Sequence, residues 1–327
     1  MAYTSEEEIL ALAKIDPEYE SHLANVATGN SEAPINSNVE VGETLDIPMR
    51  DGYISQLRIH RPKDAADKPH GPVVVLMFGG GFQTGDNTQL SPLALAMTNL
   101  YDVSVINISY RLAPANKFPT GPNDAWDSLK WISANQERLR VDLDKGFVVG
   151  GISSGANLAA VCAQKWVDER LSPPMTGSLI LIPMLLQPSI VPKQYEHLWL
   201  AREQNSQAPG FNMNDVNAAM AAYEPDEKST DFSPFNAKNP HKGLPRTYIS
   251  VCGLDPLRDD GLVYYHALED NAVETRLNVY PGVPHAHIFL THLQSAQKFV
   301  LDLVKAAGWL LDKEKSVEEI MAVLASK

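Results

Sequence analysis

Three residues far apart in the chain, Ser153, Asp255 and His285, are of the types that together attack a carbonyl carbon. Ser153 stands in Gly151-Ile152-Ser153-Ser154-Gly155, after apolar Val148-Val149 and before an alanine-rich stretch. Gly-x-Ser-x-Gly between a strand and a helix is the pattern of a nucleophile elbow, a sharp turn that lifts the hydroxyl clear of the backbone. The small residues at 151 and 155 keep that turn uncrowded. The helix that follows aims its N-terminal N–H groups at the same place, favouring developing negative charge.

A serine hydroxyl needs a base within hydrogen-bond reach and donors for the oxyanion. His285, in Pro281-Gly282-Val283-Pro284-His285-Ala286-His287, follows the last expected strand and is the leading base, with His287 as its rival. Asp255, in Gly253-Leu254-Asp255-Pro256-Leu257, follows another strand end and would orient the histidine. A helix-capping role is the alternative reading of Asp255. Asp259 and Asp260 compete as acids, but they look more like first-turn residues that complement a helix dipole. The His-x-His pair lacks a neighbouring carboxylate or cysteine, so no metal is expected. The remaining element is Phe78-Gly79-Gly80-Gly81-Phe82, directly after a buried strand. Its glycines let backbone N–H groups face a cavity. Together with Ser154 N–H, the glycines Gly79, Gly80 and Gly81 are the expected oxyanion donors. A phosphate-binding loop is disfavoured, because the segment lacks Gly-Lys-Ser/Thr and position 84 is Thr.

The elements that must position these groups alternate between strand and helix. Apolar runs predict strands at 73–77, 103–109, 147–149, 179–182 and 248–251; 44–47 and 55–60 flank Arg50-Asp51-Gly52, a hairpin signal, and 276–279 is a further short strand. Helical stretches are expected at 92–100, 123–135, 156–168, 260–269 and 292–311. This reads as an α/β class, a mostly parallel sheet with flanking helices. Residues 5–26 show helical spacing with a break at Pro17, 28–40 are polar and turn-rich, and 313–325 form a polar terminal helix. Residues 185–240 interrupt the alternation, with helical stretches at 194–204 and 214–223. A long insertion at this place builds a lid or binding surface.

The chain has 327 residues, 44% hydrophobic and 20% charged, with a net charge of −13. One large domain with an appendage is expected. The acidic balance argues against nucleic acid or anionic membrane as partner. Two cysteines, Cys162 and Cys252, exclude a disulfide framework and suit a reduced cytoplasmic setting. Neither a signal peptide nor a membrane-length apolar run is expected from these residues. The sequon Asn107-Ile108-Ser109 falls in an expected buried strand and is discounted.

Over roughly residues 70–310 the chain resembles the hormone-sensitive-lipase-like group of α/β-hydrolases, which includes microbial and fungal carboxylesterases. Phe78-Gly79-Gly80-Gly81 is similar to that group's His-Gly-Gly-Gly signature. Tyr110-Arg111-Leu112-Ala113-Pro114, Phe118-Pro119, Asp124-Ala125-Trp126, the elbow, Asp255-Pro256-Leu257-Arg258-Asp259 and Gly282-Val283-Pro284-His285 match its other segments. The resemblance implies an eight-stranded α/β-hydrolase core (41–184 and 241–327). It also implies a helical cap from residues 1–40 and 185–240, and catalysis by Ser153, Asp255 and His285 without a cofactor. Phe78 departs from the group's histidine, and Ala115 from its usual glutamate.

The expected activity is hydrolysis of small carboxylic esters of short to medium acyl chain through an acyl-enzyme. A lyase or specialised-metabolite tailoring role is the alternative. An apolar pocket is expected from Phe82, Leu198, Trp199, Met213 and Met220, although cap-to-core packing would use the same side chains. The group often dimerises through its last strand, which would make residues 276–279 a candidate edge for a homodimer.

Overall fold

Eight strands form at the expected places: β1 Glu43–Pro48, β2 Ile54–His60, β3 Val73–Met77, β4 Ser104–Ile108, β5 Phe147–Ile152, β6 Gly177–Leu181, β7 Thr247–Cys252 and β8 Thr275–Tyr280. The computed structural model describes residues 2–28, 42–63, 65 and 69–325. The strands make one sheet in the order β1-β2-β4-β3-β5-β6-β7-β8. β2 runs antiparallel to β1 and β4, and every other pairing is parallel. β3 to β7 are buried throughout, as strands covered on both faces must be.

The helices are α1 Glu6–Ala11, α2 Pro17–Ala27, α3 Ser91–Tyr101, α4 Thr120–Ala134, α5 Gln136–Leu139, α6 Ser154–Asp168, α7 Ala201–Gln204, α8 Met213–Tyr223, α9 Arg258–Asp270, α10 Gln294–Leu310 and α11 Val317–Ala325. Successive side chains of β3 go to opposite faces of the sheet. Val73, Val75 and Met77 join the core made with α4, α6 and α9. Val74 and Leu76 join the core made with α3 and α10. The terminal helix covers only 317–325 of the expected 313–325, leaving out the polar residues 313–316, and Ile320 anchors it fully buried in that second core.

The expected break at Pro17 separates two helices. Asp16 Oδ1 accepts the Glu18 and Tyr19 N–H groups at 2.9 and 3.1 Å, and Pro17 takes the first helical position, where no N–H is needed. Between the two helices the chain runs against the loop after β8. Gly282 N–H donates to Leu12 O at 2.8 Å, and Asp16 N–H donates to Gly282 O at 3.0 Å. The polar stretch expected at 28–40 lies, apart from Thr28, outside the described residues.

The insertion after β6 departs from expectation in one element. A 3₁₀ turn, Lys193–Leu198, and the short α7 replace the single helix read at 194–204. Two buried acids explain the shape. Asp259 Oδ2 accepts the Leu200 and Ala201 N–H groups, and Asp260 Oδ2 accepts those of Leu185 and Leu186. Asp260 also accepts from Trp199 Nε1 and Arg202. Asp259 and Asp260 therefore do more than complement the α9 dipole: they tie the insertion to the core.

Candidate active site

The elbow forms where the glycine pattern places it. β5 ends at Ile152, and α6 begins at Ser154. Ser153 between them has φ 57° and ψ −118°, a conformation side chains rarely adopt. A Cβ at Gly151 would lie 2.3 Å from Gly155 O, and one at Gly155 would lie 2.2 Å from both Met77 O and Phe78 O. No other residue type fits either position without moving backbone.

Ser153, His285 and Asp255 are brought into one hydrogen-bonded line. Ser153 Oγ lies 2.9 Å from His285 Nε2, and His285 Nδ1 lies 2.6 Å from Asp255 Oδ2. Asp255, wholly buried, also accepts the Leu257 N–H on Oδ1 at 2.7 Å, the turn that Pro256 sets. With Nδ1–H donating to the carboxylate, Nε2 is left as the acceptor for the serine hydroxyl. Phe211 stacks on the imidazole with ring centroids 4.3 Å apart.

His287, the rival base, points elsewhere. Its Nδ1 lies 3.2 Å from Cys252 Sγ and its Nε2 3.3 Å from Ser295 O. Burial pushes its pKa down to about 4, and the Cys252 thiol is pushed well up by burial. Among the described residues, no group of three or more His, Cys, Asp or Glu side chains is placed to hold a metal ion.

The glycine loop corrects one expected donor. Gly79 N–H is already given to Gln89 Oε1 at 2.8 Å, so it has no proton left for an oxyanion. Gly80 O accepts the Gln83 and Thr84 N–H groups at 3.0 and 3.1 Å. In a trans peptide the N–H points opposite to the carbonyl, so Gly81 N–H is turned away from those bonds. Both glycines hold positive φ, 131° and 60°. Phe78, in the position of the expected histidine, packs against the Tyr110 ring at 4.2 Å, and Tyr110 OH donates to Phe78 O at 2.9 Å.

A cleft of about 380 Å³ opens over Ser153 and His285. Gly79, Gly80, Gly81, Gln83, Thr84 and Gln89 line one side. The insertion contributes Phe211, Asp215, Ala218 and Ala219, and the loop after β8 contributes Phe289. None of the five pocket residues expected from composition lines it. Phe82 is buried against Tyr223, with rings 3.9 Å apart. Leu198 lies in the core, and Trp199, Met213 and Met220 pack against that core. Helix α8 is the right element but presents its other face: positions 215, 218 and 219 share one side of a helix, and burial of Val216 and Tyr223 decides which side that is. Gln89 and Phe211 went unnoticed, since a single Gln and a single Phe in loops carry no periodic signal.

An α/β sheet of this order, with an elbow serine facing a histidine and a buried acid, defines a class of enzyme scaffold. The chain belongs to the α/β-hydrolase fold family, whose model matches residues 74–289. It is 31% identical over 287 residues to AB hydrolase superfamily protein B1A11.02 of Schizosaccharomyces pombe, covering 88% of this chain and 84% of that one. Versiconal hemiacetal acetate esterase of Dothistroma septosporum is 27% identical over 283 residues, 86% of this chain and 84% of the relative. Among solved structures, vibralactone cyclase superposes with a TM-score of 0.83 at 28% identity, over 93% of this chain and 96% of the other. No helix among the described residues is long and apolar enough to cross a membrane.

Proposed function

We propose that this chain is a serine carboxylesterase for esters of short to medium acyl chain. The observation that carries the proposal is the unbroken Ser153–His285–Asp255 line, whose Ser153 and His285 line the cleft. Ser153 Oγ attacks the ester carbonyl as His285 Nε2 takes its proton. Negative charge on the carbonyl oxygen falls to the N–H groups of Gly80, Gly81 and Ser154. The C–O bond to the alcohol then breaks, and the alcohol leaves with the proton from His285. Water, deprotonated by the same nitrogen, attacks the acyl-Ser153 and releases the acid. Asp255 holds His285 in the tautomer that accepts at Nε2 and stabilises its charged form.

A volume of about 380 Å³ lies at the small end for ligand pockets, which supports short acyl chains. Residues 1–40 and 185–240 act in this reading as the cap over a core of 41–184 and 241–327. Tyr19 OH donates to Pro209 O at 3.3 Å and Gln204 Nε2 donates to Leu10 O at 2.8 Å, and these bonds between the N-terminal segment and the insertion support that assignment. A cytoplasmic setting belongs to the same reading.

Initial rates on p-nitrophenyl esters from acetate to palmitate test it, with wild type and Ser153→Ala in parallel. Hydrolysis highest at the short chains and lost in the variant is the expected result. Wild-type turnover by Ser153→Ala, or a preference for palmitate, overturns it.

The likeness to a cyclase favours one second reading: the acyl-enzyme is captured by a hydroxyl of the same molecule instead of by water. Product mass separates the two, because hydrolysis adds one water to the substrate and ring closure does not.

A further inference from the structure

We propose that Gln89 is a positioning residue that sets the oxyanion donors of this site, an inference that rests on the serine-hydrolase reading above. Its side-chain amide holds both peptide groups of Gly79. Oε1 accepts Gly79 N–H at 2.8 Å, and Nε2 donates to Gly79 O at a longer 3.4 Å. The second of these peptides carries Gly80 N–H at its other end. Because that unit is planar and trans, fixing Gly79 O fixes the direction of Gly80 N–H. The next peptide is held by a separate device, with Gly80 O on the Gln83 and Thr84 N–H groups. Gly80 N–H has no such backbone clamp of its own, and Gln89 supplies it.

The local sequence makes this clamp necessary. Phe78 has no polar side-chain atom, and its ring is occupied by Tyr110. Three consecutive glycines are the most permissive backbone available, and a loop that must present donors in a fixed direction loses rate when it wanders. Gln89 reaches the loop from ten residues away, where the chain folds back before α3. It also lines the cleft beside Gly79 and Gly80.

The test uses Gln89→Met, which keeps the chain length and removes both polar ends, and Gln89→Glu, which keeps an acceptor for Gly79 N–H but removes the donor to Gly79 O. Four readings are taken on each protein: kcat and KM on p-nitrophenyl acetate, the pH profile, the rate of Ser153 labelling by a fluorophosphonate, and the Ki of a trifluoromethyl ketone. Loss of an oxyanion donor costs about a hundredfold or more in kcat, and a misdirected donor is expected to cost about tenfold to a hundredfold. Gln89→Met should show that loss in kcat, labelling rate and ketone affinity together. KM should stay within about twofold and the pH profile should be unchanged, because His285 and Asp255 are untouched. Gln89→Glu should lose at least as much, since its charge sits beside the developing oxyanion.

Wild-type kcat and ketone affinity in folded Gln89→Met overturn the proposal. So does a loss confined to KM, which would make Gln89 a substrate contact. Failure of the parent reading looks different: the fluorophosphonate would then leave wild-type Ser153 unlabelled. If Gln89→Met does not fold, Gln89→Ala, which also removes both polar ends and adds no charge, decides by the same readings.

Discussion

Replacing Asp255 by Asn tests the reaction geometry most sharply, because the structure gives the carboxylate two different obligations. Oδ1 accepts the Leu257 N–H at 2.7 Å, and Oδ2 faces His285 Nδ1 at 2.6 Å, with the carboxylate itself wholly buried. An amide has only one acceptor oxygen. If that oxygen serves Leu257, the NH₂ faces Nδ1. The imidazole must then carry its proton on Nε2, where it donates to Ser153 and cannot accept from it. If the oxygen serves His285, two donors meet at Leu257, and a buried unsatisfied N–H costs about 1–3 kcal/mol. At 1.4 kcal/mol per decade, that strain alone leaves roughly a fifth to a hundredth of the enzyme in the competent tautomer. The imidazolium also loses its neighbouring negative charge. Together these place the expected loss near 10⁴-fold in kcat, about 5.4 kcal/mol, the size of effect seen when the acid of such triads is amidated. The assay is kcat and KM on p-nitrophenyl acetate, with circular dichroism to confirm the fold. A variant that keeps more than a tenth of wild-type kcat refutes the assignment of Asp255, as does a change confined to KM.

Two further outcomes concern stability. Asp260→Ala removes a fully buried carboxylate that accepts the Leu185 and Leu186 N–H groups, Trp199 Nε1 and Arg202. Leaving Arg202 and three N–H groups without their acceptor should cost about 3–5 kcal/mol, measured by urea unfolding, and an effect below about 1 kcal/mol would contradict the role given to it. His60, buried with both ring nitrogens without a hydrogen-bond partner among the described residues, is pushed from 6.5 down to about 4 by burial, with Arg58 adding to the effect. His241 and His287 are pushed down to about 4 in the same way. Between pH 6.5 and 4 the unfolded chain takes protons that the folded one refuses. Stability is therefore full above 6.5 and falls as pH drops through that window, by about 1.4 kcal/mol per pH unit per histidine. His60→Leu should cut this acid slope by about a third in urea melts at pH 7, 5.5 and 4.5; an unchanged slope would show that His60 does not contribute.

Much of this protein is written locally. The five central strands of the sheet follow from apolar runs that need no distant partner to be recognised. The elbow follows from glycines at 151 and 155, where a Cβ would strike backbone at 2.3 and 2.2 Å. Asp255 and His285 were legible because each sits just past a strand end in chain order, where an α/β sheet collects its chemistry. Only the tertiary structure decided the rest. Asp255 and His285 had rivals two to five residues away, and short loops aim neighbouring side chains in different directions: His287 turns to Cys252, and Asp259 and Asp260 turn to the insertion. The pocket was read from bulky apolar residues, yet bulk is what a core takes first, so Leu198, Trp199, Met213 and Met220 pack inward while Asp215, Ala218 and Ala219 face the cleft. Gln89 meets Gly79 and Phe211 meets His285 through loops whose closure no sequence period encodes. The chain determines its backbone elements through local preferences, but which side of an element meets the substrate is set by what every other element has already buried.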